Sequence, residues 1–318
     1  MTSTATPPTT PATDTTAAWL PVTAVAITLV LWASAFVAIR HLGEEFSPGA
    51  LSLGRTLVGA LCLGVVALAS QGLPRPTGRQ WVSLVTIGVL WFGVYNIALN
   101  AGERRVDAGT AAMLIQVSPV LVAVLAAIFL NEKFTVYIGL GLALAFSGVG
   151  LISMSSSESS DHDVIGVLLC LVSAVVYSIS LILQKPLVAK LPAIHVTWLA
   201  CTIGAIACLP FVGQLVEQTR DAPTSSVLWV VYLGVFPTAI AFTTYAYALQ
   251  HMSASSLAIT TYLVPPITIV MGLVFLDEAP PPMAYVGGAL ALVGVAVARR
   301  KPRTLSTPTM AEEVSPPA

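Results

Sequence analysis

The side chains able to do chemistry in this sequence are few, and most stand inside long apolar runs. Arg55 is the only ionised group deep in such a run, seven residues past Pro48 and so about 10 Å along a helix rising about 1.5 Å per residue. A guanidinium at that depth either bonds backbone carbonyls and helix ends within a bundle or binds and gates a solute. Pro119 and the pair Pro265-Pro266 also fall inside apolar runs, where a proline removes a backbone donor and bends a helix. Gln116, Ser118, Thr260, Thr261 and Tyr262 lie close to them in sequence. A polar side chain in hydrocarbon is costly unless paired, so these groups are expected to face inward.

A second set of aromatic and amide residues points to a cavity wall: Trp32, Tyr95, Asn96, Tyr177, Gln184 and Tyr245, with Gln116 and Tyr262 from the proline regions. Helical spacing puts Trp32, Phe36 and Ile39 on one face and Tyr177, Ser180 and Gln184 on another. The competing use of Trp and Tyr is anchoring at a membrane interface, which suits Trp19, Trp81, Trp198, Trp229 and Tyr137 near the ends of apolar runs. Glu132 and Glu278 close two such runs. There a carboxylate accepts hydrogen bonds from a neighbouring helix start, pairs with a base such as Lys133, or carries a coupled proton.

Other chemistries leave no trace. No GxxxxGK[ST] is present for a nucleotide-driven pump, no HExxH or Cys/His cluster for a metal, and no GxSxG for acyl transfer. No cofactor and no catalytic residue is therefore expected. The four cysteines, Cys62, Cys170, Cys201 and Cys208, sit in apolar runs as small hydrophobes. His41, His162, His195 and His251 stand singly at loops or run ends. With 14 Lys and Arg against 15 Asp and Glu, the charge offers no nucleic-acid footprint.

The elements that position these residues follow from composition. Of 318 residues 56% are hydrophobic and 9% charged, with mean hydropathy +0.86, whereas a soluble protein carries roughly 25% charged residues. The chain belongs in a bilayer. A hydrocarbon core of about 30 Å needs about 20 apolar residues per helix, and ten runs qualify: 18–39, 48–70, 80–100, 108–130, 134–153, 164–184, 193–214, 226–249, 254–276 and 282–298. The breaks are short enough to make neighbouring helices antiparallel in one bundle. Residues 1–17 are rich in Thr, Pro and Ala and lack the basic start of a signal peptide, so they read as a disordered tail. Residues 299–318 read as a second tail, basic and then disordered. Placing both termini in the cytoplasm puts Arg75, Arg79, Lys133, Lys185, Lys190, Arg299, Arg300, Lys301 and Arg303 inside, and leaves Arg40, Arg104, Arg105 and Arg220 outside. The excess of basic loops inside selects that orientation.

The sequence also repeats itself at an offset of 146 residues. Gly88 falls on Gly234, Pro119 on Pro265, Phe129-Leu130 on Phe275-Leu276, Glu132 on Glu278, Gly141 on Gly287 and Gly148-Val149 on Gly294-Val295. Residues 18–154 and 164–298 are thus two copies of a five-helix unit. An odd helix number makes the second copy enter the membrane from the opposite side. The expected fold is an all-α membrane protein of ten transmembrane helices in two inverted five-helix repeats, an architecture suited to alternating access.

The stretch LWASAFVAIR (Leu31 to Arg40), the Arg55 helix after Ser47-Pro48, the run AGTAAMLIQVSPV (Ala108 to Val120), and FLNEK (Phe129 to Lys133) with its counterpart FLDEA (Phe275 to Ala279) resemble the EamA family of the drug/metabolite transporter superfamily. The resemblance covers about residues 20–298. It implies a ten-helix bundle with both termini cytoplasmic, usually exporting amino acids or other small metabolites. Tyr177 near the place of Trp32, and Lys185 near that of Arg40, depart from the pattern.

The resulting expectation is a multi-pass plasma-membrane secondary transporter, not an enzyme, whose partners are a small-molecule substrate and the lipid bilayer. Multidrug efflux and metabolite uptake on the same fold stay open; a lipid enzyme or membrane sensor would need a catalytic cluster or signalling domain that the sequence lacks. The acidic residues all read as loop, tail or run-end positions, Glu132 and Glu278 lying nearest the apolar interior. Transport is therefore expected to follow the substrate gradient, or to couple to protons through those two carboxylates.

Overall fold

The computed structural model describes residues 19–69, 73–106, 108–156 and 164–275, with short helical stretches between 286 and 297. All the regular elements among them are helical. In chain order they are α1 (Leu20–Leu42), α2 (Pro48–Ala69), α3 (Gly78–Ile87), a π-helical segment (Gly88–Tyr95), α4 (Asn96–Glu103), α5 (Ala108–Leu114), a 3-10 turn (Ile115–Val117), α6 (Ser118–Phe129), α7 (Val136–Ser156), α8 (Val164–Val188), α9 (Ala193–Ala207), a 3-10 turn (Leu209–Phe211), α10 (Val212–Asp221), α11 (Thr224–Leu233), a second π-helical segment (Gly234–Ile240), α12 (Ala241–His251), α13 (Ala254–Thr260), a 3-10 turn (Thr261–Leu263) and α14 (Val264–Phe275).

Among the described residues six continuous helical runs are long and apolar enough to cross a membrane: Leu20–Leu42, Pro48–Ala69, Gly78–Glu103, Ile165–Val188, Thr224–His251 and Ala254–Phe275. Large apolar side chains such as Leu61 (70% exposed), Val65 (72%) and Phe275 (71%) point outward, as a lipid-facing surface requires. The polar groups are inside. Thr28, Arg55, Asn96, Asn100, Gln116, Ser178, Gln184 and Thr260 are all buried. In a bilayer this inverted arrangement is the stable one, because lipid cannot satisfy a polar group and neighbouring helices can.

Three of the expected runs are interrupted. The run 193–214 is not one straight span: α9 ends at Ala207, and the chain bends by 51° into Leu209–Asp221. Pro210, lacking a backbone N–H, lies in the 3-10 turn at the bend. α10 then lays its polar face against the start of α2, where Gln218 and Gln214 accept hydrogen bonds from the Ser47 backbone N–H (2.9 Å) and hydroxyl (2.6 Å). The run 108–130 likewise contains two α-helices separated by a 3-10 turn, and so does 254–276. Pro119 and Pro265-Pro266 fall in the first turns of α6 and α14 rather than in a helix interior. There the missing N–H is one that has no intrahelical partner anyway.

The offset of 146 residues runs through the elements themselves. Adding it to α3, α5 and α6 gives the ranges of α11, α13 and α14, and adding it to the first π-helical segment gives the start of the second. Gly88 and Gly234 open those segments at places where α9 and α2 press close. A Cβ on Gly88 would stand 2.7 Å from the Ala200 carbonyl oxygen, and one on Gly234 would stand 2.5 Å from Val58 Cβ and 2.9 Å from the Arg55 carbonyl oxygen. These are small-residue contacts between membrane helices. Glu278 lies outside the described residues, and of the tenth apolar run only the short helical stretches named above are described.

Candidate functional site

At the centre of the bundle the breaks of both repeats meet around a small cavity. Its polar lining is Arg55 from α2, Tyr95 from the first π-helical segment, Gln116 and Ser118 at the α5–α6 break, Tyr177 from α8 and Thr261 at the α13–α14 break. The apolar wall is Trp32, Phe36 and Ile39 on one face of α1, with Phe242 from α12 opposite. The cavity measures about 40 Å³. That holds about three or four waters at about 10–15 Å³ each and falls well short of the 300–1,000 Å³ of a ligand pocket, so this conformation leaves no room for a solute at its centre.

Arg55 is 3% exposed, and its Nε donates to Thr238 Oγ1 at 3.2 Å in the second π-helical segment. Thr238 in turn donates to the Leu233 carbonyl at 2.8 Å. The guanidinium thus ties the first repeat to the irregular stretch of the second while still facing the cavity. Gln116 Oε1 accepts from Thr261 Oγ1 at 3.3 Å, another bond between the repeats, and Ser178 Oγ donates to the Ser118 carbonyl at 3.3 Å. Each bond joins a break to a neighbouring element.

Of the residues singled out in the sequence, Trp32, Arg55, Tyr95, Gln116 and Tyr177 line the cavity. Tyr245 lies one layer behind: its ring is 4.7 Å from Trp32, centroid to centroid, and its hydroxyl is hydrogen-bonded to that of Tyr177. Asn96 faces the backbone instead, donating to the Trp91 and Phe92 carbonyls at 3.3 and 2.9 Å, where the π-helical geometry disturbs the regular ladder. Gln184 and Ser180 are buried away from the cavity lining, as is Tyr262, which packs with Ala123, Leu142 and Ile259. Pro119, Pro265 and Pro266 start the helices that carry Ser118 and Val264 to the wall.

Glu132 is a helix cap. Its carboxylate accepts from the Ala254 N–H (2.7 Å), the Ser255 N–H (3.1 Å) and the Ser255 hydroxyl (2.7 Å), satisfying free donors of the first turn of α13. It reaches them because Asn131, at φ 53°, turns the chain at the end of α6 and lets the Glu132 N–H bond the Ala126 carbonyl at 3.2 Å. Asn tolerates that left-handed backbone better than most residues. Lys185 closes the same end of the bundle, its ammonium donating to the Leu249 and Met252 carbonyls at the end of α12.

Two groups escape sequence reasoning. Trp91 is 1% exposed and stands behind the cavity, with ring centroids 5.2 Å from Tyr177 and 5.1 Å from Phe242. Its place in the middle of the 80–100 run, far from either edge, is the signal that separates it from the interfacial tryptophans. Glu103 reads as a loop residue beside Arg104-Arg105, yet it is the last residue of α4 and is 1% exposed. The expectation that no acidic residue other than Glu132 and Glu278 approaches the interior is corrected by it. α4 continues past the apolar run because Gly102 packs directly against α8, where a Cβ would stand 2.7 Å from Cys170 Sγ.

Comparison with known proteins agrees with the residues and the repeat. The model of the EamA-like transporter family matches residues 19–154 and again 164–300. The chain belongs to that family. One relative, from Streptantibioticus cattleyicolor, bears the name probable terminal-alkyne amino-acid exporter and is 36% identical over 289 residues, 90% of this chain and 96% of its own. An uncharacterised transporter of Bacillus subtilis is 31% identical over 265 residues, 83% of this chain and 86% of its own. A solved crystal structure shares the fold at TM-score 0.70 and 20% identity, covering 88% of this chain and 96% of the other. This EamA-family chain is therefore a multi-pass membrane protein of a transporter family.

Proposed function

We propose that this EamA-family protein is a secondary transporter that exports amino acids across the plasma membrane by alternating access, rather than an enzyme. The observation that carries the reading is the small central cavity, walled by both repeats at their matching helix breaks and holding one cation, Arg55, among hydroxyl, amide and aromatic groups. A guanidinium binds a carboxylate in bidentate fashion. Tyr, Ser, Thr and Gln supply acceptors for an ammonium, and the aromatic wall accommodates a short apolar side chain. The relative whose name specifies an amino-acid exporter supports the same substrate class.

In this reading the ten apolar runs form two inverted five-helix repeats, with both termini cytoplasmic as the basic loops require. The 146-residue correspondence of α3, α5 and α6 with α11, α13 and α14 supports the duplication behind it. Substrate and lipid are the partners; the chemistry of the lining calls for no cofactor.

The test is counterflow in proteoliposomes. Vesicles are loaded with unlabelled L-propargylglycine, a terminal-alkyne amino acid, and offered the labelled compound against a panel of common L-amino acids and a lipophilic cationic drug. Transient accumulation of label, competed by L-amino acids and not by the drug, is expected. Accumulation of the drug alone would overturn the substrate class and make this a multidrug carrier.

A further inference from the structure

Among the described residues, Glu103 is the one buried carboxylate that the cavity and the helix caps leave unexplained. It closes α4 at 1% exposure, and neither carboxylate oxygen has a hydrogen-bond partner among the described residues. A buried carboxylate is ordinarily saturated with donors, as even the half-buried Glu132 is, because an unpaired anion in a low-dielectric interior is severely penalised. Its neighbours do not cap it. Arg40 of α1 donates through Nη1 to the Glu103 backbone carbonyl at 3.4 Å, leaving the carboxylate to act on the guanidinium only through space.

The titratable and charged groups that face Glu103 come from each element packed around α4: Arg55 from α2, Arg40 from α1, Tyr95 from the π-helical segment and Cys170 from α8. α5 brings none. Beyond the end of α4 lies a pocket of about 300 Å³ whose wall includes Glu103 together with Arg40, His41, Glu44 and Arg104. Two compartments are therefore stacked along the same helices. Ile39 and Leu99 belong to the central cavity, and one residue or one turn further on, Arg40 and Glu103 belong to the end pocket. Arg55 faces both the cavity and the Glu103 carboxylate.

We propose that Glu103 is the proton-binding group of the transport cycle and that the proton it takes up travels with the substrate, an inference that rests on the transport reading above. A proton arriving from the side of the central cavity forms an O–H bond with the carboxylate and leaves through the end pocket, which lies on the outer side in the orientation above; no other bond breaks. The cavity lining holds one cation, Arg55, and two anions can answer it: Glu103, or the carboxylate of a substrate in the cavity. While Glu103 is ionised it offsets the field of Arg55. Once protonated it leaves the guanidinium uncompensated and strengthens its hold on a substrate carboxylate. Linkage makes the effect reciprocal, so bound substrate raises the affinity of Glu103 for its proton by the same factor, typically about 5- to 150-fold for coupled sites. Proton and substrate then load together and leave together, and a proton accompanies each molecule running down its own gradient.

The experiment is efflux of L-propargylglycine from proteoliposomes carrying an internal pH dye, with and without an imposed gradient that is acid on the loaded side. Wild-type protein is expected to speed up at least about fivefold with the acid gradient and to carry protons out with the substrate. Glu103→Gln, whatever its own rate, is expected to be indifferent to the gradient, and Glu217→Gln, on the exposed face of α10, to respond like wild type. A gradient response that survives in Glu103→Gln overturns the proposal, and so does wild-type exchange that ignores the gradient. Should Glu103→Gln fail to assemble, substrate added to wild-type protein in weakly buffered micelles decides: proton uptake is expected, and its absence overturns the proposal. Failure of wild-type protein to exchange L-propargylglycine at all counts against the substrate reading alone. Glu103 is then judged by infrared titration against Glu103→Asp, which is expected to shift the carbonyl band of a protonated carboxylic acid; a titration in which no such band appears overturns the assignment.

Discussion

Arg55 carries two loads, a hydrogen bond that joins the repeats and the single positive charge of the cavity lining. Removing the whole side chain abolishes both. Lysine keeps a charge but loses the planar fork and the Nε donor to Thr238. Arg55→Ala is accordingly expected to lower amino-acid exchange by about 10- to 150-fold, the equivalent of about 1.5–3 kcal/mol for a hydrogen bond to a charged group, with Arg55→Lys in between. Initial counterflow rates per folded transporter check this; equal rates in the two variants would remove Arg55 from the mechanism. At this scale the sequence is most informative where a residue is out of place in its own run. Arg55 declares itself because it is charged and its neighbours are not. Glu103 does not, because the adjacent Arg104 and Arg105 make it look solvated, and only the packing of Gly102 on Cys170 shows that α4 carries the carboxylate into the protein.

At the scale of elements, the matching irregularities of the two repeats shape the cavity. The π-helical segments begin at Gly88 and Gly234, and the 3-10 turns at Ile115–Val117 and Thr261–Leu263 coincide under the same offset. Pro119 and Pro265-Pro266 mark the second pair in the sequence, so those breaks are legible, although the residues sit after each break rather than in the bend. Pro237 stands inside the second π-helical segment and marks it in the sequence, whereas no such residue announces the first. Their glycines do matter for approach. Gly88→Val and Gly234→Val are expected to destabilise by about 1–3 kcal/mol each, since the added atoms meet backbone carbonyl oxygens that have little room to move. Thermal unfolding in detergent measures this. Melting unchanged from wild type in both variants would show that α2 and α9 do not press on these segments as described.

For the whole molecule, six long apolar helices and the duplication are written in the sequence as run length and as aligned Gly, Pro and Glu residues. The bend at Cys208 to Pro210 is not, because the apolar character continues through it. Nor is the narrow centre, which depends on how aromatic rings from distant helices meet. Trp32, Trp91, Tyr177, Phe242 and Tyr245 come from α1, the first π-helical segment, α8 and α12, and their contacts span both repeats. A cavity of about 40 Å³ is too small for an amino acid, so in the proposed cycle the two repeats separate toward each side in turn.

That claim is open to one direct measurement. With Cys62, Cys170, Cys201 and Cys208 replaced by alanine, a single cysteine introduced as Ser118→Cys reports on the cavity wall. A membrane-impermeant thiol reagent is applied to right-side-out and to inside-out vesicles, with and without an exchanging L-amino acid. Alternating access predicts that the cysteine is modified from both faces, and that the amino acid slows modification from each. Modification from one face only, or modification that the amino acid leaves unchanged, would contradict a central site shared by the two repeats.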